Sequence, residues 1–85
     1  MPVRIDIVRR NGNVVFEPSP AFVAKNDSAF WHNADKKTHH ISLCPKPVLP
    51  GQNTAAVLIT GDRSYTCIIA GHPGEGGQIS TSVVG

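Results

Sequence analysis

Short alternating runs, each halted by a turn residue, constrain this chain more than any other feature. Val3-Arg4-Ile5-Asp6-Ile7-Val8 alternates apolar and polar side chains, the period of a half-buried strand. Asn11-Gly12-Asn13 follows as a hairpin signal, and Val14 to Glu17 reads as a second strand stopped by Pro18 and Pro20. Ala21 to Ala24, Ser28 to Asn33, Thr38 to Leu43, Thr54 to Thr60, Ser64 to Ile69 and Gln78 to Val84 continue the pattern. Between them lie the polar loop Ala34 to Lys37, the rigid stretch with Pro45, Pro47, Pro50 and Gly51, and the Gly61-Asp62 turn. No stretch carries a helical period. Seven or eight short strands with turns every 8–12 residues predict an all-β sandwich or barrel.

Eighty-five residues form one small domain, 1–85, with a thin core that a metal or a disulfide would reinforce. The net charge is +2, and only Arg9-Arg10 and Lys36-Lys37 are adjacent cations. No basic stripe with interleaved aromatics is present, which argues against a nucleic-acid partner. No apolar run reaches the ~18 residues of a membrane-spanning helix. Met1 leads straight into a strand pattern with no secretory signal, so the chain reads either as cytoplasmic or as a mature exported form.

The chemistry concentrates in the last third. Cys67 ends a strand, His72 follows on a loop rich in glycine and proline, and Glu75 comes three residues later. A second histidine source, His39-His40, follows another strand. One thiolate and two imidazoles suit a mononuclear copper site, since that donor set is acceptable to both Cu(I) and Cu(II). Successive side chains point to opposite faces of a strand, so only one of His39 and His40 can face such a site. Cys67 also has a plainer reading, as a buried apolar cysteine or as half of a Cys44–Cys67 disulfide. His32 reads as an outer-face side chain and Trp31 as a core aromatic. Asn33 and Asp35 read as organisers of the following turn.

Phe16-Glu17-Pro18, then Val23 to Asp35 with its Trp31-His32-Asn33-Ala34-Asp35, then Thr38-His39-His40-Ile41, resembles the first half of a cupredoxin. That family's pattern there is roughly F-x-P, V-x-x-G-D-x-V-x-W-x-N-x-D and a histidine before a strand. Tyr65-Thr66-Cys67 with His72-Pro73-Gly74-Glu75-Gly76-Gly77-Gln78-Ile79 is similar to the family's closing Y-x-C-x-x-H-P-x-M-x-G-x-I. The resemblance covers nearly the whole chain in order. It implies a Greek-key β-sandwich and a copper ion cycling between Cu(I) and Cu(II), with His39, Cys67 and His72 as equatorial ligands.

This chain departs from the pattern in two places. Four residues separate Cys67 from His72, where the commonest small members have two, and the axial methionine is missing because Met1 is the only methionine. Glu75 falls in the axial slot, with Gln78 as the other candidate. A hard carboxylate there would favour Cu(II), lower the potential and shift the colour toward green or red, as in the nitrosocyanin-like red-copper centres of the family. The implied function is one-electron transfer rather than catalysis, with transient redox-protein partners and export to the periplasm. Electrons are expected to enter at the edge of His72, beside an apolar patch formed by Pro73, Gly74 and the Pro45–Pro50 segment. Alternatives are a copper enzyme or nitric-oxide-type sensor with an open coordination position, a redox-silent copper carrier, and a metal-free interaction domain with a Cys44–Cys67 disulfide.

Overall fold

A computed structural model describes residues 2–69 and 72–81, excepting the side chains of 68, 69 and 72–75. Its seven strands are β1 Val3–Arg10, β2 Asn13–Glu17, β3 Ala21–Phe22, β4 Asp27–Asn33, β5 Val57–Ile59, β6 Arg63–Ile69 and β7 His72–Ser80. They form a four-stranded sheet, β2-β1-β4-β5, and a three-stranded sheet, β3-β7-β6. The first pair is a tight hairpin in which Arg10 faces Asn13. Its two loop residues, Asn11 and Gly12, both have positive φ (52° and 81°), the conformation that makes Asn-Gly favourable in this turn. β1 also pairs in parallel with β4, and β3 in parallel with β7, so the chain crosses between sheets as a Greek key does.

The period of two sends one face of each strand inward. Ile5 and Ile7 of β1, Ala29 and Trp31 of β4, and Ile59 of β5 meet Ala21, Tyr65, Cys67 and Ile79 of the other sheet. Trp31 and Phe16 contact the Tyr65 ring edge-on, with centroids 5.0 and 5.1 Å away. Such edge-to-face contacts favour one fixed arrangement of rings across the layers.

Three expected elements take a different form. Thr38 to Leu43 is not a strand but an irregular connection, held by isolated bridges from His39 to Val48 and from Ile41 to Cys67 and turning at Ser42 and Leu43. Its alternation survives, since His39 and Ile41 are fully buried while His40 is half-buried. The strand expected over Thr54 to Thr60 shrinks to Val57–Ile59, with Thr54 hydrogen-bonding across to Trp31. The strand expected from Gln78 begins at His72, so His72 and Glu75 are strand positions rather than parts of an open loop. Glycine makes this pairing possible. A Cβ on Gly76 would strike the Tyr65 carbonyl oxygen, and one on Gly77 would lie 2.5 Å from the Tyr65 hydroxyl. The expected end of that strand, 82–84, lies outside the described residues.

Candidate metal centre

Extended backbone from 39 to 41 aims His39 inward. Its amide donates to the Val48 carbonyl at 3.1 Å, and the Val48 amide donates back to the His39 carbonyl at 2.7 Å. The bridge between Ile41 and Cys67 then brings this segment alongside β6. As a result His39 Nδ1 lies 3.1 Å from Cys67 Sγ, with the imidazole wholly buried and Cys67 3% exposed.

The other ring nitrogen is held as firmly. His39 Nε2 sits 2.7 Å from Asp35 Oδ2. An ionised carboxylate only accepts hydrogen bonds, so the proton of a neutral His39 belongs on Nε2. Nδ1 is then an open lone pair facing the cysteine sulfur. This is the tautomer a metal-binding imidazole needs, and a carboxylate behind the ring is the usual way of selecting it. At 3.1 Å the cysteine sulfur lies within hydrogen-bond reach of Nδ1.

Asp35 is itself clamped. Arg9 donates through Nε to Oδ1 at 3.2 Å and through Nη2 to Oδ2 at 3.0 Å, and the Lys36 amide donates to Oδ1 at 2.8 Å. Arg9 Nη1 also reaches the Gly12 carbonyl, which ties the clamp to the first hairpin. The Arg9 hydrogen bonds outweigh burial, and with help from His39 they hold the Asp35 carboxyl well below the usual carboxylate range. Asn33 sets the loop. Its side-chain amide donates to the carbonyls of Lys37 (2.7 Å) and Val48 (3.0 Å), and its carbonyl accepts from the Asp35 amide.

Of the residues singled out in the sequence, His39 and Cys67 are brought together. His40 turns away, with Nε2 3.0 Å from the Cys44 carbonyl, and His32 bonds Asn53 at the surface. Cys44 and Cys67 are both buried free thiols. Burial pushes the Cys44 thiol up, away from the reactive thiolate form. In β7, Glu75 takes the register position opposite Cys67, and His72 that opposite Ile69. The side chains of His72 and Glu75 lie outside the described residues, as does the axial geometry expected of Glu75. Among the described residues, no three His, Cys, Asp or Glu side chains form a metal-binding group. Gln78, the other axial candidate, is exposed.

The donor chemistry of the described pair fits copper: one imidazole nitrogen and one sulfur facing each other, both buried from water. Two participants were not read from the sequence in this role. Asp35 had a signal, its four-residue spacing to His39. Arg9 had none, being 26 residues from Asp35.

No family model and no curated protein sequence matches this chain. Solved structures do. The crystal structure of amicyanin from Paracoccus versutus (Thiobacillus versutus) superposes with a TM-score of 0.68 at 14% identity, over 93% of this chain and 79% of that one. The chain therefore has a cupredoxin-like fold, the all-β sandwich that its sequence pattern implied.

Proposed function

We propose that this chain is a mononuclear copper protein that carries single electrons, in which His39, Cys67, His72 and Glu75 would hold the ion. The observation that supports it most is the facing pair of His39 Nδ1 and Cys67 Sγ, with the opposite ring nitrogen tied to Asp35. The cupredoxin-like fold supports it independently. Bound copper supplies a one-electron couple between Cu(II) and Cu(I).

The chain's own residues supply rigidity. Asp35 fixes the ring plane of His39, Arg9 fixes Asp35, and the Val48 bridge fixes the backbone. A pocket held this way reorganises little when the charge at its centre changes by one, which keeps the barrier to electron transfer low. Transient redox proteins are the proposed partners and the periplasm the proposed compartment. Leu49, 52% exposed, supplies an apolar surface within the Pro45–Pro50 segment for such encounters.

Titration of the reduced metal-free protein with Cu(II), followed by visible absorption and electron paramagnetic resonance, tests the reading. An intense thiolate-to-copper band that saturates at about one copper per chain and is lost in Cys67→Ser is expected. A pale spectrum of nitrogen and oxygen ligands alone would refute it. A spectrum that shifts on adding nitric oxide or azide would favour an open-coordination enzyme or sensor over a carrier.

A further inference from the structure

Directly outside Asp35 lies a concavity of about 570 Å³, lined by Val8, Arg9, Ala34, Asp35, Lys36 and Lys37. Arg9, Lys36 and Lys37 are exposed, while Asp35 is buried. The concavity holds three of the chain's eight cations and one of its six carboxylates. It therefore carries a net +2, the net charge of the entire chain, and the remaining ionic groups cancel. Elsewhere, exposed Arg4 is paired with Asp6 and exposed Arg10 with Glu17. Among the described residues, neither Lys36 nor Lys37 has an ion pair.

Position adds to charge. The same Arg9 that rims the concavity begins an unbroken series of contacts: Arg9 Nη2 to Asp35 Oδ2 at 3.0 Å, Asp35 Oδ2 to His39 Nε2 at 2.7 Å, and His39 Nδ1 to Cys67 Sγ at 3.1 Å. From these two observations we propose that this concavity is a docking surface for an acidic patch on a partner protein. Its lining shares no residue with the Pro45–Pro50 segment.

The complementary charge steers encounter and fixes register, and the small apolar contribution of Val8 and Ala34 keeps the contact short-lived. Three cations without an aromatic platform make too short a track for a nucleic-acid backbone. The proposal deepens the electron-carrier reading by giving its partner a charge, but the docking itself does not depend on copper.

The test therefore uses the full chain without metal. Amide signals of the ¹⁵N-labelled protein are followed while the trianion hexacyanochromate(III), and separately hexaglutamate, is added at low ionic strength. Broadening or shifts centred on Arg9, Ala34, Lys36 and Lys37 are expected. Raising the salt to physiological strength should weaken them about tenfold, as screening shortens the reach of each charge. Lys36→Gln with Lys37→Gln should abolish them while leaving other signals in place. Effects centred on Lys25 or Lys46, or effects that survive the double substitution, would overturn the proposal. So would oligo-dT binding the same amides more tightly than hexaglutamate, since a nucleic acid would then be the better occupant. If copper fails to bind and the anions still map here, only the electron-carrier reading falls.

Discussion

Replacing Arg9 with methionine isolates the outermost link behind the candidate centre. The variant keeps the aliphatic stem on β1 but loses two hydrogen bonds to Asp35, at 3.2 and 3.0 Å, and one to the Gly12 carbonyl. Two limits bracket the cost. Breaking a fully buried ion pair costs about 3–5 kcal/mol, because the surviving charge is stranded. Breaking a solvent-exposed one costs about 0–1 kcal/mol. Here the Asp35 side chain is 4% exposed and the Arg9 side chain 34%. Water can reach the site of the lost guanidinium, and the carboxylate keeps the His39 and Lys36 donors, so a loss of about 2 kcal/mol is expected. For a domain of this size that lowers Tm by roughly 10 °C. Urea and thermal unfolding of the metal-free protein measure it. Arg10→Met is the internal control: both partners of its ion pair with Glu17 are solvent-exposed, and the change should cost far less than the loss at Arg9. A loss at Arg9 no larger than at Arg10 would show that the clamp is screened by solvent, and would refute the claim that it preorganises His39.

The Arg9–Asp35 clamp also has a pH signature. Asp35 is held below its ordinary range in the folded protein, so its contribution is present above the unfolded value near ~4 and is lost as pH falls toward the depressed folded value. Stability of the wild type should therefore drop faster below pH ~4 than that of Arg9→Met, and the two curves should converge in acid. Parallel curves would contradict the assignment.

Three further outcomes are expected. His39→Ala should abolish the thiolate-to-copper band while His40→Ala preserves it, because only His39 faces Cys67; the reverse result in a copper titration would reassign the ligand. Gly76→Ala should cost about 1–3 kcal/mol in chemical denaturation, since its Cβ meets the Tyr65 backbone carbonyl and neither strand can yield without losing register. A neutral effect would mean that the β6–β7 pairing is looser than described. Glu75→Met should raise the reduction potential and move the visible spectrum toward blue; an unchanged voltammogram and spectrum would remove Glu75 from the ligand set.

The β-sandwich was legible because its cause is local. Alternation in Val3 to Val8 and Ser28 to Asn33 can be satisfied only by strands with one face buried, and Asn11-Gly12 can adopt its two positive φ values at little cost. The pairing of a histidine with Cys67 was legible as chemistry, though alternation alone left His39 and His40 equivalent. Where expectation and structure parted, a longer-range contact decided. Thr38 to Leu43 has the composition of a strand, but its edges are taken up singly by Val48 and Cys67 instead of by a continuous ladder. Gly76 and Gly77 have the composition of a loop, yet their missing side chains let β7 lie against Tyr65.

Strand periods, turns and the soft donor set follow from the sequence alone. Those depend on residues within a few positions of one another or on side-chain chemistry alone. Tertiary structure decided which histidine turns inward, placed Asp35 behind it, and brought Arg9 from the first strand to clamp Asp35. Contacts between groups 26 and 28 residues apart are set by how two sheets stack, and no local pattern encodes that distance.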